Sequence, residues 1–459
     1  MTITRRLFLK NGAIALASIG LEPVLGPMFL RQTAFGAETT AQTRKKTLIC
    51  IFQRGAADGL NIVVPHGDAD LYRHRPGLAV QRPGSGAPQN SAIDLDGFFG
   101  LHPALAPFVP IYKSGHLAAV HACGSPDTTR SHFDAQDYME SGAPGNKRVA
   151  DGWLARTVMA CPEDRAKLAA REASPFRAVA LGGDHGLPRS LQGDAGALAI
   201  PDLHSFGIGV PEMAGGRRKD GKANGARRDI VNGGAQATSA PSAIAGGFET
   251  LYDNAVGDVL HGTGKESFEA IAVLNKITPG SYVPANGAVY PGGRFGESLK
   301  QIAQLVKAGV GVEVAFAEMG GWDTHTNQPN RLTQQLREFG QGVAALYNDL
   351  GDTMNDVVIL TMSEFGRTVR QNGNNGTDHG HATCFFALGG PVNGGRVLCK
   401  WPGLAPEQLY ENRDLALTTD FRAVFGEVAV RHLGARNLQK IFPNYTGTPA
   451  DFRGVIRPS

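Results

Sequence analysis

Short, predominantly apolar runs alternate along this chain with longer stretches in which apolar residues recur every three or four positions. Residues 47–52, 116–123, 178–181, 312–317, 357–362 and 384–388 are of the first kind and read as strands. Phe295, Leu299, Ile302 and Leu305 are spaced as one face of a helix. Leu332, Leu336, Phe339, Val343, Leu346 and Leu350 form a second such stripe, and residues 133–141 predict a shorter helix. Continuous apolar strands alternating with amphipathic helices predict an α/β fold, a mostly parallel sheet with helices on both faces. Ligands of such sheets sit beyond the carboxyl ends of the strands, so chemistry is sought there.

Two stretches fall outside this alternation. Residues 206–247 are rich in Gly, Ala, Ser and Arg without a hydrophobic period, and read as a flexible insertion. At the start, Arg5-Arg6-Leu7-Phe8-Leu9-Lys10 is followed by an apolar run from Ala13 to about Leu30, then by small residues at Ala34, Gly36 and Ala37. Glu22, Pro23 and Pro27 interrupt that run, which is short of the roughly 20 apolar residues that span a bilayer. Residues 1–37 are therefore expected to be a twin-arginine signal peptide. Its partner is the twin-arginine translocase, its destination is the periplasm or beyond, and no stable membrane anchor is expected. A single domain over 45–459 is expected to follow. Metal loading in the cytoplasm is one reason to export a protein already folded.

Charge changes the picture little. Lys and Arg number 45 against 42 Asp and Glu, and no basic stripe with interleaved aromatics points to nucleic acid. The five cysteines are scattered without zinc-type spacing, and Cys50, Cys123 and Cys384 in apolar runs read as buried thiols.

Polar residues gather just past the strands. Asp323 and His325 follow one strand, Ser363, Glu364 and Arg367 follow another, and Asp378, His379 and His381 precede a third. Carboxylate and imidazole groups in such clusters suit zinc, manganese or iron. Alternate residues of an extended segment point the same way, so Asp323 with His325, or His379 with His381, could converge on one ion. Thr128, Thr129 and Ser131 precede a helix start, where a hydroxyl either caps the helix or serves as a nucleophile. Arg54, Asp58 and Asn61 lie behind the first strand, and Arg54 or Arg367 could fork onto a phosphate or sulfate.

Together the motifs resemble a known family. Arg54-Gly55-Ala56-Ala57-Asp58-Gly59-Leu60-Asn61, Arg130-Ser131-His132-Phe133-Asp134-Ala135-Gln136-Asp137 and Gly321-Trp322-Asp323-Thr324-His325 look like the bacterial exported family called domain of unknown function 1501. Ser363-Glu364-Phe365-Gly366-Arg367-Thr368 and Asp378-His379-Gly380-His381 extend the resemblance over nearly the whole mature chain. It implies an alkaline-phosphatase-like fold, shared by phosphatases, sulfatases and phosphodiesterases, and a divalent metal, zinc foremost, with manganese, calcium or iron as alternatives. Asp323, His325, Glu364, Asp378, His379, His381 and Asp58 are the metal-ligand candidates it carries over. Ser131 and Thr128 are rival nucleophiles, with His132, Arg54 and Arg367 as further catalytic candidates. The sequence also departs from that superfamily. Gln53 and Arg54 stand where the first strand should end in an aspartate, with Asp58 the candidate substitute. Glu364-Phe365 replaces an Asp-His pair. The expected function is hydrolysis of a small phosphate or sulfate ester or an anionic glycan. The alternative is a non-catalytic binding or assembly protein on the same scaffold.

Overall fold

The computed structural model describes residues 46–161, 174–183, 186–203 and 282–458. They fall within one compact unit formed by Thr43–Ser205 and Ala272–Ser459. The proposed leader and the proposed insertion near 206–247 lie outside the described residues.

Nine strands form the main sheet: β1 (Thr47–Gln53), β2 (Leu117–Gly124), β3 (Ala178–Leu181), β4 (Leu198–Ile200), β5 (Val314–Met319), β6 (Val357–Met362), β7 (Thr383–Leu388), β8 (Arg396–Leu398) and β9 (Thr419–Asp420). Their order is β8-β2-β7-β6-β1-β5-β3-β4, with β9 also on β2. Every pairing is parallel except the two made by β7, which runs antiparallel to both β6 and β2. The segment joining β6 to β7 contains no helix, so it cannot make the crossover that a parallel return requires.

Helices α1 (His132–Ser141), α2 (Trp153–Ala160), α3 (Arg294–Lys307), α4 (Gln328–Leu350) and α5 (Phe421–Glu427) complete the scaffold. Side-chain alternation shows that both faces of the sheet are covered. Leu48, Cys50 and Phe52 of β1 pack with Trp153 and Leu154 of α2 and Phe421 and Phe425 of α5. On β7, Phe385 meets Phe425 on that face, whereas the next residue, Phe386, meets Phe108 on the other. Phe108 in turn packs edge-on against Phe339 of α4. Each such side chain is fully buried, which contributes roughly 1.5–3 kcal/mol apiece.

The register brings the loops to one edge. Phe52 lies opposite both Glu318 and Met362, so β1, β5 and β6 end level. Cys123 near the end of β2 faces Thr383 at the start of β7. Because β7 is reversed, the residues before it join the residues after the other four strands. All five cysteines are free thiols, four of them buried.

Candidate metal centre

His132, Asp323 and His379 offer one donor atom each, all within 4.8 Å of one another. His132 opens α1, Asp323 follows β5, and His379 precedes β7. His325 completes the group. Its Nε2 lies 3.0 Å from Asp323 Oδ1 and 3.0 Å from His379 Nε2.

The outward nitrogen of each ring has a defined partner. His132 Nδ1 lies 2.8 Å from Glu364 Oε1, His379 Nδ1 lies 2.9 Å from the Arg130 carbonyl, and His325 Nδ1 lies 3.1 Å from Asp378 Oδ1. Carboxylates and carbonyls accept only, so each Nδ1 carries the proton and donates it. Each Nε2 is then left with a lone pair turned inward. The Nε2 atoms of His132 and His379 are 2.9 Å apart, and His132 Nε2 is 3.5 Å from Asp323 Oδ2. Lone pairs facing one another at that separation repel unless a cation or a shared proton lies between them. Imidazoles that donate their second N–H to a carboxylate or carbonyl are the usual arrangement of metal-binding histidines. The residues therefore fit a divalent transition metal.

Neighbouring charges act on each group. The bond to Glu364 holds the His132 pKa above its ordinary value, against the opposing effect of burial. Burial, followed by the neighbouring charge of His132, lowers that of His379. Partial burial opposes the charge of Asp323, but the Arg367 guanidinium at 2.6 Å keeps its carboxyl below the usual range. Glu364 is fully buried; its burial is outweighed by bonds from His132 and Gln136, which keep it below the usual carboxylate range. It also accepts from the Gly55 amide at 2.9 Å.

Gly55 is a glycine for a local reason. Its φ is +119°, and a Cβ there would sit 2.6 Å from the Asp323 backbone nitrogen. The loop after β1 thus presses directly on the segment that carries Asp323.

The other candidates are placed elsewhere or in supporting positions. Glu364 and Asp378 stand behind His132 and His325 and touch the centre through those rings. Asp58 is away from it, held by Arg75 at 2.6 and 3.0 Å in a pair that is almost wholly buried. Its carboxylate, expected to replace the missing ligand after β1, neutralises a buried guanidinium instead. His381 is stacked on Tyr410, with ring centroids 4.5 Å apart, and stands outside the cluster.

Arg367 is buried, engaged by Asp323 and both the hydroxyl and carbonyl of Thr377. Arg54 is bound to Glu318, Glu140 and Gln136. Neither guanidinium has the free fork expected of an anion receptor. Ser131 is the N-cap residue of α1, yet its side chain makes no capping bond. Thr128 is exposed and Ser131 half-buried.

Sequence reasoning passed over Gln136, which donates to Glu364 and accepts from Arg54. Its signal was present: His132 and Gln136 are four apart, hence on one face of α1.

Residues 291–442 match the profile of a family described as "Protein of unknown function (DUF1501)". The match spans about a third of the chain. Asp323, His325 and His379 lie inside the matched stretch, and His132 lies before it. No curated protein matches the sequence.

Among solved structures, the chain is similar to Ps i-CgsB in complex with k-i-k-neocarrahexaose. Identity is 9%, coverage is 86% of this chain and 73% of that one, and the TM-score is 0.36. It is similar also to a protein of the alkaline phosphatase superfamily from Vibrio parahaemolyticus, at 9% identity, 76% and 61% coverage and a TM-score of 0.29. For alkaline phosphatase from the Antarctic bacterium TAB5 the figures are 8%, 77% and 94%, and 0.25. Among the described residues no helix is long and apolar enough to cross a membrane.

Proposed function

We propose that the mature protein is an exported, metal-dependent hydrolase of phosphate or sulfate esters. The observation that carries this reading is the convergence of three inward-facing imidazole nitrogens on Asp323 at the ligand-binding edge of the sheet. His132, His379, Asp323 and His325 would hold the ion, and a donor set rich in nitrogen favours zinc, with manganese or iron as alternatives. Such an ion supplies Lewis acidity toward an ester oxygen. The protein's own part is positioning and proton handling. Glu364, Arg130 and Asp378 fix the three rings, and Arg367 fixes the carboxylate.

Ser131 precedes His132, and its hydroxyl is not used as a cap. Its oxygen would attack phosphorus or sulfur, releasing the alcohol, which takes up a proton. Water would then break the new ester bond and restore the hydroxyl. The paired arginines at positions 5 and 6 support export by the twin-arginine route.

A second reading rests on one specific observation. Arg54, Arg130 and Arg367 are all engaged by protein carboxylates, which leaves anion recognition to the metal and favours a binding protein. Elemental analysis of the wild type and of His379→Ala, followed by assay of aryl phosphates and sulfates, separates the two. Metal in the wild type, absent from the variant, with ester hydrolysis supports the hydrolase. Metal without turnover supports the binding protein, and no metal sinks both forms of the site.

A further inference from the structure

Behind the loops that carry Asp323, His325 and His379 runs a chain of side chains with no exposed member. Arg367 Nη1 donates to Asp323 Oδ1 at 2.6 Å, and Arg367 Nε donates to Thr377 Oγ1 at 3.2 Å. Thr377 Oγ1 donates to Gln328 Oε1 at 2.6 Å. Thr324, between Asp323 and His325, donates to the same oxygen at 3.0 Å. Gln328 Nε2 donates to Asp58 Oδ2 at 2.5 Å, and both oxygens of Asp58 accept from Arg75. Arg75, Asp58, Gln328, Thr324, Thr377 and Arg367 are each at most 1% exposed, so bulk solvent does not reach the chain.

The chain has one polarity, and Asp58 sets it. A carboxylate accepts only, so it takes the amide NH2 of Gln328 and turns the amide oxygen toward the two threonines. Each hydroxyl has a single proton, and both protons go to that oxygen. Thr377 therefore has lone pairs left for Arg367 Nε, which fixes the plane of the guanidinium. Were Gln328 reversed, its NH2 would face both hydroxyls. Thr377 and Thr324 would then lose the oxygen that accepts their protons. In a buried network such a mismatch is costly, because bulk solvent cannot repair it.

From this we infer that Asp58, paired with Arg75, is a positioning residue: through Gln328 and Thr377 it orients Arg367 and so holds Asp323 in its metal-binding pose. The inference rests on the reading of Asp323 as a ligand, though Asp58 and Gln328 do not themselves belong to the donor cluster.

The test is titration of the full chain with cobalt(II), followed by visible absorption, with denaturant unfolding of each metal-free variant in parallel. The wild type and Thr377→Ser, which keeps the hydroxyl, are expected to take up about one equivalent with the same spectrum. Thr377→Val and Asp58→Asn are expected to bind at least about tenfold more weakly with an altered spectrum. Thr377→Val removes the link without unpairing Arg75, so it carries the test if Asp58→Asn does not fold. A folded Thr377→Val protein with wild-type affinity and spectrum overturns the inference while leaving the metal site standing. A wild type that takes up no cobalt overturns both.

Discussion

His132 is held between Glu364 and His379: its Nδ1 lies 2.8 Å from the buried Glu364 carboxylate and its Nε2 lies 2.9 Å from His379. One ring thus joins the start of α1, the loop after β6 and the loop before β7. The carboxylate aims the ring, and what the ring faces is the candidate metal position.

Glu364→Gln tests that role. The substitution removes the charge opposite His132, while the amide oxygen can still accept the three bonds that Oε1 takes from Gly55, His132 and Gln136. Metal affinity is expected to fall by about 10–100-fold. Competition with a chelator measures it, and unchanged affinity would show that the charge of Glu364 does not strengthen metal binding through the ring.

Ser131→Ala separates the two hydroxyl candidates. Its side chain makes no capping bond, so stability should change by less than about 0.5 kcal/mol. Ester hydrolysis should fall by at least about 100-fold with metal content retained. Thr128→Ala should leave hydrolysis near wild type, and the reverse pattern would make Thr128 the nucleophile.

Arg75→Met leaves Asp58 buried beside Gln328 with no cation. A loss of about 3–5 kcal/mol is expected, read from the denaturant midpoint, because an unpaired buried carboxylate has no compensation. A loss below 1 kcal/mol, on the order of a surface pair, would mean that Asp58 is solvated in solution.

Gly55→Ala forces a side chain into a φ of +119° and within 2.6 Å of the Asp323 nitrogen. Backbone strain alone is worth on the order of 1–3 kcal/mol. The displaced Asp323 segment should weaken metal binding together with stability. If calorimetry shows full stability and metal titration shows full affinity, the close approach is absent in solution.

Acid should destabilise the protein before any carboxylate titrates fully. His121 is buried: Nε2 donates to the Val63 carbonyl, and Nδ1 accepts from the Ala122 amide, so the ring must be neutral. Burial lowers its pKa to about 4, and likewise those of His102 and His432. These folded values lie below the ordinary 6.5, so the unfolded chain takes up protons first. The contribution is intact above pH 6.5 and is lost as pH falls toward 4, by on the order of 3 kcal/mol for one such histidine. Urea midpoints at several values from pH 7.5 to 4.5 measure it, and a flat profile would show that these rings are not held neutral.

The sequence pattern was enough for six of the nine described main-sheet strands, β1, β2, β3, β5, β6 and β7, for helices α1, α3 and α4, and for where polar residues gather beside them. Those features follow from local periodicity: Val357, Val358, Ile359 and Leu360 are apolar without a break and open β6. Asp323 and His325 do converge, as the alternation of an extended segment requires. The same argument failed for His379 and His381, because the segment before β7 does not stay extended. His379 bridges Arg367, and the Gly380 amide bonds to the Gly366 carbonyl; a Cβ at Gly380 would fall 2.4 Å from the Arg367 backbone. That tight passage aims His379 at the centre and leaves His381 on Tyr410.

Tertiary structure alone decided which distant residues meet. His132 lies 191 positions before Asp323 in sequence (323 − 132) and reaches it because β2 and β5 point the same way. Asp58 resembled a ligand by residue type, and Arg75 claims it through a contact that no local pattern encodes. Periodicity reports which side of its own element a residue faces. The partner across the sheet is set by strand order and direction, which depend on packing over the whole chain.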